Sequence, residues 1–172
     1  MRDSCMNNIS IRERTADDAE MFYDFITKLD NETDYMLYEK GERIITSEII
    51  RSNTENIIKD RNFCVIALDE NIIAGYLIAV REKYIRTKHV ASLVIGILEE
   101  YCGKGIGYEM FNHLFKWSGT NGVRRLELLV IAENIRAINL YKKVGFRIEG
   151  VRENATYKDG KYYDEYYMAK ML

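Results

Sequence analysis

Glu99-Glu100-Tyr101-Cys102-Gly103-Lys104-Gly105-Ile106-Gly107 is the stretch on which the reading of this 172-residue chain turns. It follows the apolar run His89 to Leu98 and opens a segment, Gly105 to Trp117, in which Met110, Phe111, Leu114 and Trp117 recur at helical spacing. Glycines at alternate positions between a strand and a helix let the main chain approach a ligand closely. The N–H groups of a helix start, with the dipole behind them, favour a phosphate there. The Walker phosphate loop ends in Gly-Lys-Ser/Thr, whereas Lys104 is followed by Gly105, which excludes an ordinary NTPase loop. The dinucleotide fingerprint needs GxGxxG after the first strand of a parallel fold, but this loop reads GxGxG and follows three strands that read as antiparallel. The acid about 20 residues on, Glu127, lies inside a strand rather than at its carboxyl end. On glycine spacing alone, a tight strand-to-helix turn with no ligand stays open as the alternative.

Upstream of the loop, Ile9 to Arg14 alternates as a first strand, and Thr15 before Ala16-Asp17-Asp18 reads as an N-cap with acids in the first helical turn. Met21, Phe22, Phe25, Ile26 and Leu29 then mark a helix, and Ser47 to Asp60 a second one. Asp30 to Arg43, between them, has no period and reads as a loop. Phe63 to Leu68 and Ile72 to Val80, joined by Asp69-Glu70-Asn71, form a predicted antiparallel hairpin. Downstream, Arg125 to Ala132 reads as a buried strand, so the glycine loop opens a β-α-β crossover. Asn134 is placed to cap a helix whose apolar stripe is Ala137, Leu140, Tyr141 and Val144, with Gly145 at its C-terminal end. Phe146 to Val151 and Tyr162 to Met168 close the chain as strands. No repeat and no proline interrupts it, so residues 1–172 are expected to form a single domain.

Composition narrows the function classes. Apolar residues make up 47% and charged residues 30%, enough to bury a core and stay in solution. Lys plus Arg number 25 against 27 Asp plus Glu, a net charge of −2 that offers no basic excess for a nucleic-acid backbone. The longest apolar runs fall far short of the roughly 20 residues that cross a bilayer. The polar start carries no secretory core, so a cytoplasmic location is expected and no membrane partner. Cys5, Cys64 and Cys102 are odd in number, widely spaced and without CxxC, so they are read as reduced thiols with neither a disulfide framework nor a metal site.

A second motif runs Asn134-Ile-Arg-Ala-Ile-Asn-Leu-Tyr141-Lys-Lys-Val-Gly145-Phe146. Together with the glycine loop it resembles the GNAT superfamily of acyl-CoA-dependent N-acetyltransferases, whose loop is Arg/Gln-x-x-Gly-x-Gly/Ala and whose next helix reads Asn-x-x-Ala-x-x-Leu-Tyr-x-x-x-Gly-Phe. One departure is Cys102, where the family usually has Arg or Gln. The resemblance implies a three-layer α/β fold: a mixed, mostly antiparallel twisted sheet, splayed at the cofactor site and flanked by about four helices. It also implies that acetyl-CoA is the co-substrate. The strand from Ile95 would pair with the pantetheine arm, and the Ile97 N–H would face the thioester oxygen. The amides of Cys102, Gly103, Lys104, Gly105, Ile106 and Gly107 would take the pyrophosphate, with Lys104 adding charge, and Asn134 would touch the pantetheine.

Tyr141 is the family's usual general acid. It lies seven residues, about two helical turns, after Asn134, so both can face one ligand. A phenol of pKa about 10 stays protonated at neutral pH and can protonate a thiolate of pKa near 8.5. From periodicity alone Tyr141 reads as a core residue, since it shares the stripe of Ala137, Leu140 and Val144, and only the surrounding motif reverses that. No general base is legible: Glu127, His89 and His113 each have an ordinary structural reading. The acidic, tyrosine-bearing run Asp30 to Glu39 would suit a cationic amine, such as a polyamine, an amino sugar or a peptide N-terminus, or be a solvated loop. The ending Tyr157 to Lys170 resembles the tails of the branch containing ribosomal-protein N-terminal and spermidine acetyltransferases. Its tyrosines would line a pocket or make a β-hairpin, and a homodimer through these strands is a further expectation. The alternative from another class is a non-catalytic sensor that binds CoA or another nucleotide on the same fold.

Overall fold

The computed structural model describes residues 8–172. Seven strands, β1 Ile9–Glu13, β2 Phe63–Asp69, β3 Ile72–Arg81, β4 Val90–Ile97, β5 Arg125–Ile131, β6 Arg147–Lys158 and β7 Lys161–Met171, lie in the order β1-β2-β3-β4-β5-β7-β6. Four α-helices accompany them: α1 Ala19–Glu32, α2 Ser47–Lys59, α3 Ile106–Thr120 and α4 Ile135–Lys143. The sheet is mixed: β1, β2 and β3 pair antiparallel, as do β5, β7 and β6, while β4 and β5 run parallel over Val90–Ser92 against Arg125–Glu127. The fold is therefore the mixed α/β class that the sequence pattern requires. The residues gather into two compact units, one running through Val80 with Val94–Leu114, the other made of Arg81–Leu93 and Phe115–Leu172.

In the first unit, the apolar stripe of α1 buries Phe22, Phe25, Ile26 and Leu29, and α2 contributes Ile50. They meet the wholly buried stretch Phe63–Leu68 of β2 and Ile73–Leu77 of β3. The rings of Phe22 and Phe25 stand edge-on to Tyr76 at 5.4 and 5.7 Å. Aromatic burial of this kind is worth about 1.5–3 kcal/mol per side chain, with a further increment for the edge contacts. The start of α3 adds Ile106, Met110, Phe111 and Leu114, each at most 1% exposed. In the second unit, Val123, Leu126, Leu128, Ile138, Phe146 and Met168 form the buried set.

Three local expectations are corrected, and one open alternative is decided. Ala16–Asp18 forms a single 3-10 turn rather than the first turn of the α-helix, because Asp18 is held by its neighbours. Its carboxylate takes both ends of the Arg12 guanidinium at 2.6 and 2.8 Å and the Thr15 backbone N–H at 2.7 Å. The helix then runs on through Glu32, so Asp30 is helical and the irregular segment begins at Thr33. Asp30 belongs there because it is buried and bonded by Arg43, not because of any apolar period. The closing strands are longer than the runs read as strands: β6 and β7 meet at a turn where Asp159 and Gly160 both have positive φ (50° and 77°), the conformation of a tight two-residue hairpin. Tyr157 and Tyr162 then face each other across the pair at 4.9 Å between ring centres, which favours the hairpin over the pocket.

Cys64 and Cys102 are free thiols, and Cys5 lies outside the described residues. Burial pushes the Cys64 thiol up to about 11, so it is protonated and inert at neutral pH. Among the described residues no helix is long and apolar enough to cross a membrane, and no group of three or more His, Cys, Asp or Glu could hold a metal ion.

The Arg12 bond holds the Asp18 carboxyl down at about 2, below its ordinary 3.8. A depressed carboxyl stabilises the fold above its unfolded value, and the contribution fades as pH falls toward the folded one. Discounting for solvent at the half-exposed Arg12, the pair is worth on the order of 1–2 kcal/mol. Asp18→Asn is expected to lower stability by about that much at pH 7 and to flatten the acid limb between pH 4 and pH 2, read by urea unfolding across that range; a parallel offset at every pH contradicts the assignment.

Candidate functional site

The glycine loop lies wholly within the first unit, and its approach is pinned on three sides. Leu98, at the end of β4, is buried and donates its N–H to the Ala74 carbonyl at 2.9 Å. The next residues, Glu99–Tyr101, make a 3-10 turn. The C-terminal end of α1 ties that turn down: Glu32 Oε1 accepts the Glu99 N–H at 2.6 Å, and Lys28 Nζ pairs with Glu100 at 2.6 Å. On the other side the Tyr101 hydroxyl donates to Asp69 at the end of β2, 3.0 Å away. None of these partners carried a sequence signal beyond being polar, because each is set by the packing of α1 and the β2–β3 turn.

After Tyr101 the backbone turns. Gly103 and Gly105 have φ of +76° and +85°, which L side chains adopt only with strain, while Lys104 between them does not. Such an alternation is the backbone pattern by which successive N–H groups can form an anion-binding concavity, and here it comes immediately before α3 starts at Ile106. A Cβ built on Gly103 meets nothing within 4 Å, so the glycine is required by its φ and faces open space. Ile106 is buried at 1% exposure and Gly107 is buried, so the helix start is anchored by a core side chain while its first N–H groups have no intrahelical acceptor. The donor set fits a diphosphate: free main-chain N–H groups at a positive helix end, with a lysine alongside.

The sequence-derived residues are not all equal within this loop. The Cys102 N–H donates to the Glu99 carbonyl at 3.1 Å, so that amide is committed to the turn, and the half-buried Cys102 thiol points at the Ile97 carbonyl at 3.8 Å. Lys104 lies on the Tyr101 ring, its Nζ 4.8 Å from the ring centre. Ile95 and Ile97 are half-buried on β4 with Gly96 buried between them. Gly96 is a position sequence reading passed over. A Cβ there would lie 2.5 Å from Leu29 Cδ2 and 2.8 Å from Tyr76 Cε1, so α1 and β3 can close on the strand only above a glycine.

Asn134 and Tyr141 lie in the second unit, on and just before α4. Asn134 is the N-cap, its side chain accepting the Ala137 N–H at 3.1 Å. Tyr141 is 7% exposed, its ring 6.1 Å from that of Phe146. Past the helix end, Gly145 takes φ +98° and donates to the Lys142 carbonyl at 3.1 Å, and Phe146 donates to the Tyr141 carbonyl at 2.9 Å. These two bonds are the paired closure of a Schellman cap, which fixes the last turn carrying Tyr141. Of the general-base candidates, Glu127 bonds Arg125 Nε at 3.0 Å in a triad that Glu149 completes at 2.5 and 3.1 Å. His89 is exposed and His113 half-buried.

Two acids of the run Asp30 to Glu39 are engaged internally. Asp30 takes the Arg43 guanidinium, with Nη2 at 3.0 Å from Oδ1, and Arg43 stacks on the Tyr38 ring at 4.1 Å. Glu32 accepts the Glu99 N–H, and beyond the run Glu42 accepts the Glu39 N–H.

Comparison with known proteins adds the following. The model described as "Acetyltransferase (GNAT) family" matches residues 13–146. The L-amino acid N-acetyltransferase AaaT of Escherichia coli (strain K12) is 31% identical over 109 residues, which cover 62% of this chain and 66% of that protein, just under two thirds of its length. The spermidine N(1)-acetyltransferase of Vibrio cholerae is 28% identical over 144 residues, 81% of this chain and 82% of that one. Among solved structures, the crystal structure of an acetyltransferase of the GNAT family from Streptococcus pneumoniae superposes with a TM-score of 0.91 at 30% identity, covering 95% of this chain and 99% of that one.

Two glycine substitutions separate shape from space. Gly103→Ala is expected to fold with a loss of about 1–2 kcal/mol from its left-handed backbone. Gly96→Ala should lose about 1–3 kcal/mol by overpacking against Leu29 and Tyr76 and perturb the near-ultraviolet signal of Tyr76. Chemical denaturation with circular dichroism measures both; an unperturbed Gly96→Ala contradicts the close approach.

Proposed function

The chain belongs to the acetyltransferase (GNAT) family of acyl-CoA-dependent N-acetyltransferases, and on that premise we propose that it carries an acetyl group from acetyl-CoA to a primary amine by direct attack in a ternary complex. The observation that carries the reading is the run of main-chain donors from Gly103 to Gly107 at the mouth of α3, built for a diphosphate. In this reading the Gly103, Lys104, Gly105, Ile106 and Gly107 amides hold the pyrophosphate. Cys102, whose amide serves the turn, lends only its backbone shape, which is why a residue other than Arg or Gln is tolerated there. Ile95 and Ile97 offer strand N–H and C=O groups to the pantetheine arm. The Asn134 Oδ1 is spent on the cap, so any contact of Asn134 with that arm falls to its Nδ2.

The amine nitrogen, in its neutral form, attacks the thioester carbonyl carbon. The N–C bond forms, the oxygen takes up negative charge against a main-chain N–H of β4, and the C–S bond then breaks. Sulfur leaves as the thiolate and receives the Tyr141 hydroxyl proton. The product amide loses its extra proton to solvent, and Tyr141 is reprotonated from solvent. A phenol near pKa 10 holds its proton until the thiolate appears, which suits a general acid at neutral pH. The Schellman cap and the Asn134 cap together support this assignment by locking the helix that bears Tyr141. The engagement of Glu127 with Arg125 argues against it as the base.

The acceptor is a primary amine. Within the run Asp30 to Glu39 that suits a cationic acceptor, Asp30 is paired with Arg43 and Glu32 accepts the Glu99 N–H.

Tyr141→Phe is expected to lower kcat by about 10²–10³-fold while acetyl-CoA affinity changes little, read by release of free CoA thiol with an amine panel and by calorimetry with acetyl-CoA. Full turnover in that variant removes Tyr141 as the acid. Absence of any calorimetric signal with acetyl-CoA or CoA removes the function itself.

A further inference from the structure

The loop shaped for a diphosphate leaves the sheet through an acidic turn. Glu99 and Glu100 are exposed immediately before it, Glu32 and Asp69 hold it from α1 and β2, and Glu109 follows in the first turn of α3. Among the described residues that bond to this turn or stack on it, Lys28 and Lys104 supply the ammonium groups. A dianionic ligand entering such a field is repelled unless the nearest carboxylates are neutralised.

Three of these carboxylates take neutral donors, which orient them and leave their charge in place. Glu32 accepts the Glu99 N–H at 2.6 Å, Asp69 the Tyr101 hydroxyl at 3.0 Å, and Glu109 the Asn112 side-chain amide at 3.3 Å. Glu100 instead takes a full cation, Lys28 Nζ at 2.6 Å, brought from the last turns of α1. The Lys28 ammonium holds the Glu100 carboxyl below its ordinary range, and Lys104 pulls the same way more weakly, so both lysines lie within electrostatic reach of that one carboxylate. Lys104, four residues on and inside the loop itself, rests with Nζ 4.8 Å from the Tyr101 ring centre and stays exposed. Which lysine Glu100 holds therefore sets how much positive charge faces the ligand.

We propose that Lys28, besides holding the turn, is a positioning residue for the phosphate-bearing half of the co-substrate: it takes up the charge of Glu100, so that Lys104 serves the diphosphate and not its neighbour's carboxylate. This rests on the acetyl-transfer reading and adds to it a residue of α1 that lies in neither sequence motif. Lys28 acts through Glu100 and does not itself touch the phosphates.

The test compares acetyl-CoA with S-acetylpantetheine, which carries the same thioester arm without the phosphates, at a fixed concentration of one primary amine. Lys28→Met is expected to raise KM for acetyl-CoA about fivefold at low salt with kcat nearly unchanged, and to leave kcat/KM for S-acetylpantetheine as it was. In roughly 1 M salt, where the screening length falls to about 3 Å, the fivefold effect should shrink below about twofold. Adding Glu100→Gln to Lys28→Met should bring KM for acetyl-CoA back to within about twofold of the wild type, because the carboxylate that competes for Lys104 is gone. The Glu32 bond to the Glu99 N–H still holds the turn in both variants. Direct contact of Lys28 with phosphate, or a role only in holding the turn, predicts no rescue by Glu100→Gln, and that result overturns the inference. So does an equal loss with the two donors, or an unchanged KM for acetyl-CoA in Lys28→Met; acetyl transfer by the wild type then stands without it. If the wild type acetylates no amine with either donor, it is the acetyl-transfer reading that fails. Lys28 is then read by calorimetry with CoA: about fivefold weaker binding in Lys28→Met, recovered in the double variant, upholds its role, and any other pattern overturns it.

Discussion

A helix cannot satisfy its own first N–H groups. Much of this protein is organised around where those of α3 are left. Ile106 is driven into the core at the first helical position, which fixes the helix start, and the two left-handed glycines before it turn further N–H groups the same way. On the proposed reading, this patch of main-chain donors takes the diphosphate of acetyl-CoA. Because the donors belong to the backbone, side chains in the loop are free to vary, and Cys102 illustrates this: its amide closes the preceding turn and its thiol faces the Ile97 carbonyl.

Such a loop works only if it is held still. The chain meets this with contacts from distant segments. Glu32 and Lys28, at the end of α1, bind the Glu99–Tyr101 turn, and Asp69 holds the Tyr101 hydroxyl. The close approach that permits this depends on Gly96, where no side chain separates β4 from Leu29 and Tyr76. The exposed ion pair Lys28–Glu100 contributes little energy by itself. Its value is positional, because it fixes the level at which the loop leaves the strand.

Charge follows a similar logic in the first unit. In sequence Asp18 reads as an acid of a first helical turn, and Asp30 as the start of a run that either suits a cationic amine or is a solvated loop. Each instead anchors an arginine, and each shapes its own surroundings: Asp18 closes the turn before α1, and Asp30 clamps Arg43, and with it Tyr38, over the start of the irregular segment. An acidic run is thus a poor guide to substrate charge until the internal partners have been counted.

The chain by itself determined what short-range rules govern. Strand and helix periods, the caps at Thr15, Asn134 and Gly145, the hairpin at Asp69-Glu70-Asn71 and the two motifs were all legible, since each depends on residues within a turn or two of one another. The turn at Asp159-Gly160 was not singled out, and the strands on either side lack a clear alternation that would have shown their true length. What could not be read were contacts made across long intervals: Glu32 with Glu99, 67 residues apart, Lys28 with Glu100, 72 apart, and Asp30 with Arg43 around the end of a helix. Those pairings, the need for glycine at 96 and the burial of Arg14 were decided by tertiary packing. Burial and proximity, which set the energy of a charge or the room for a side chain, exist only after segments remote in sequence have come together.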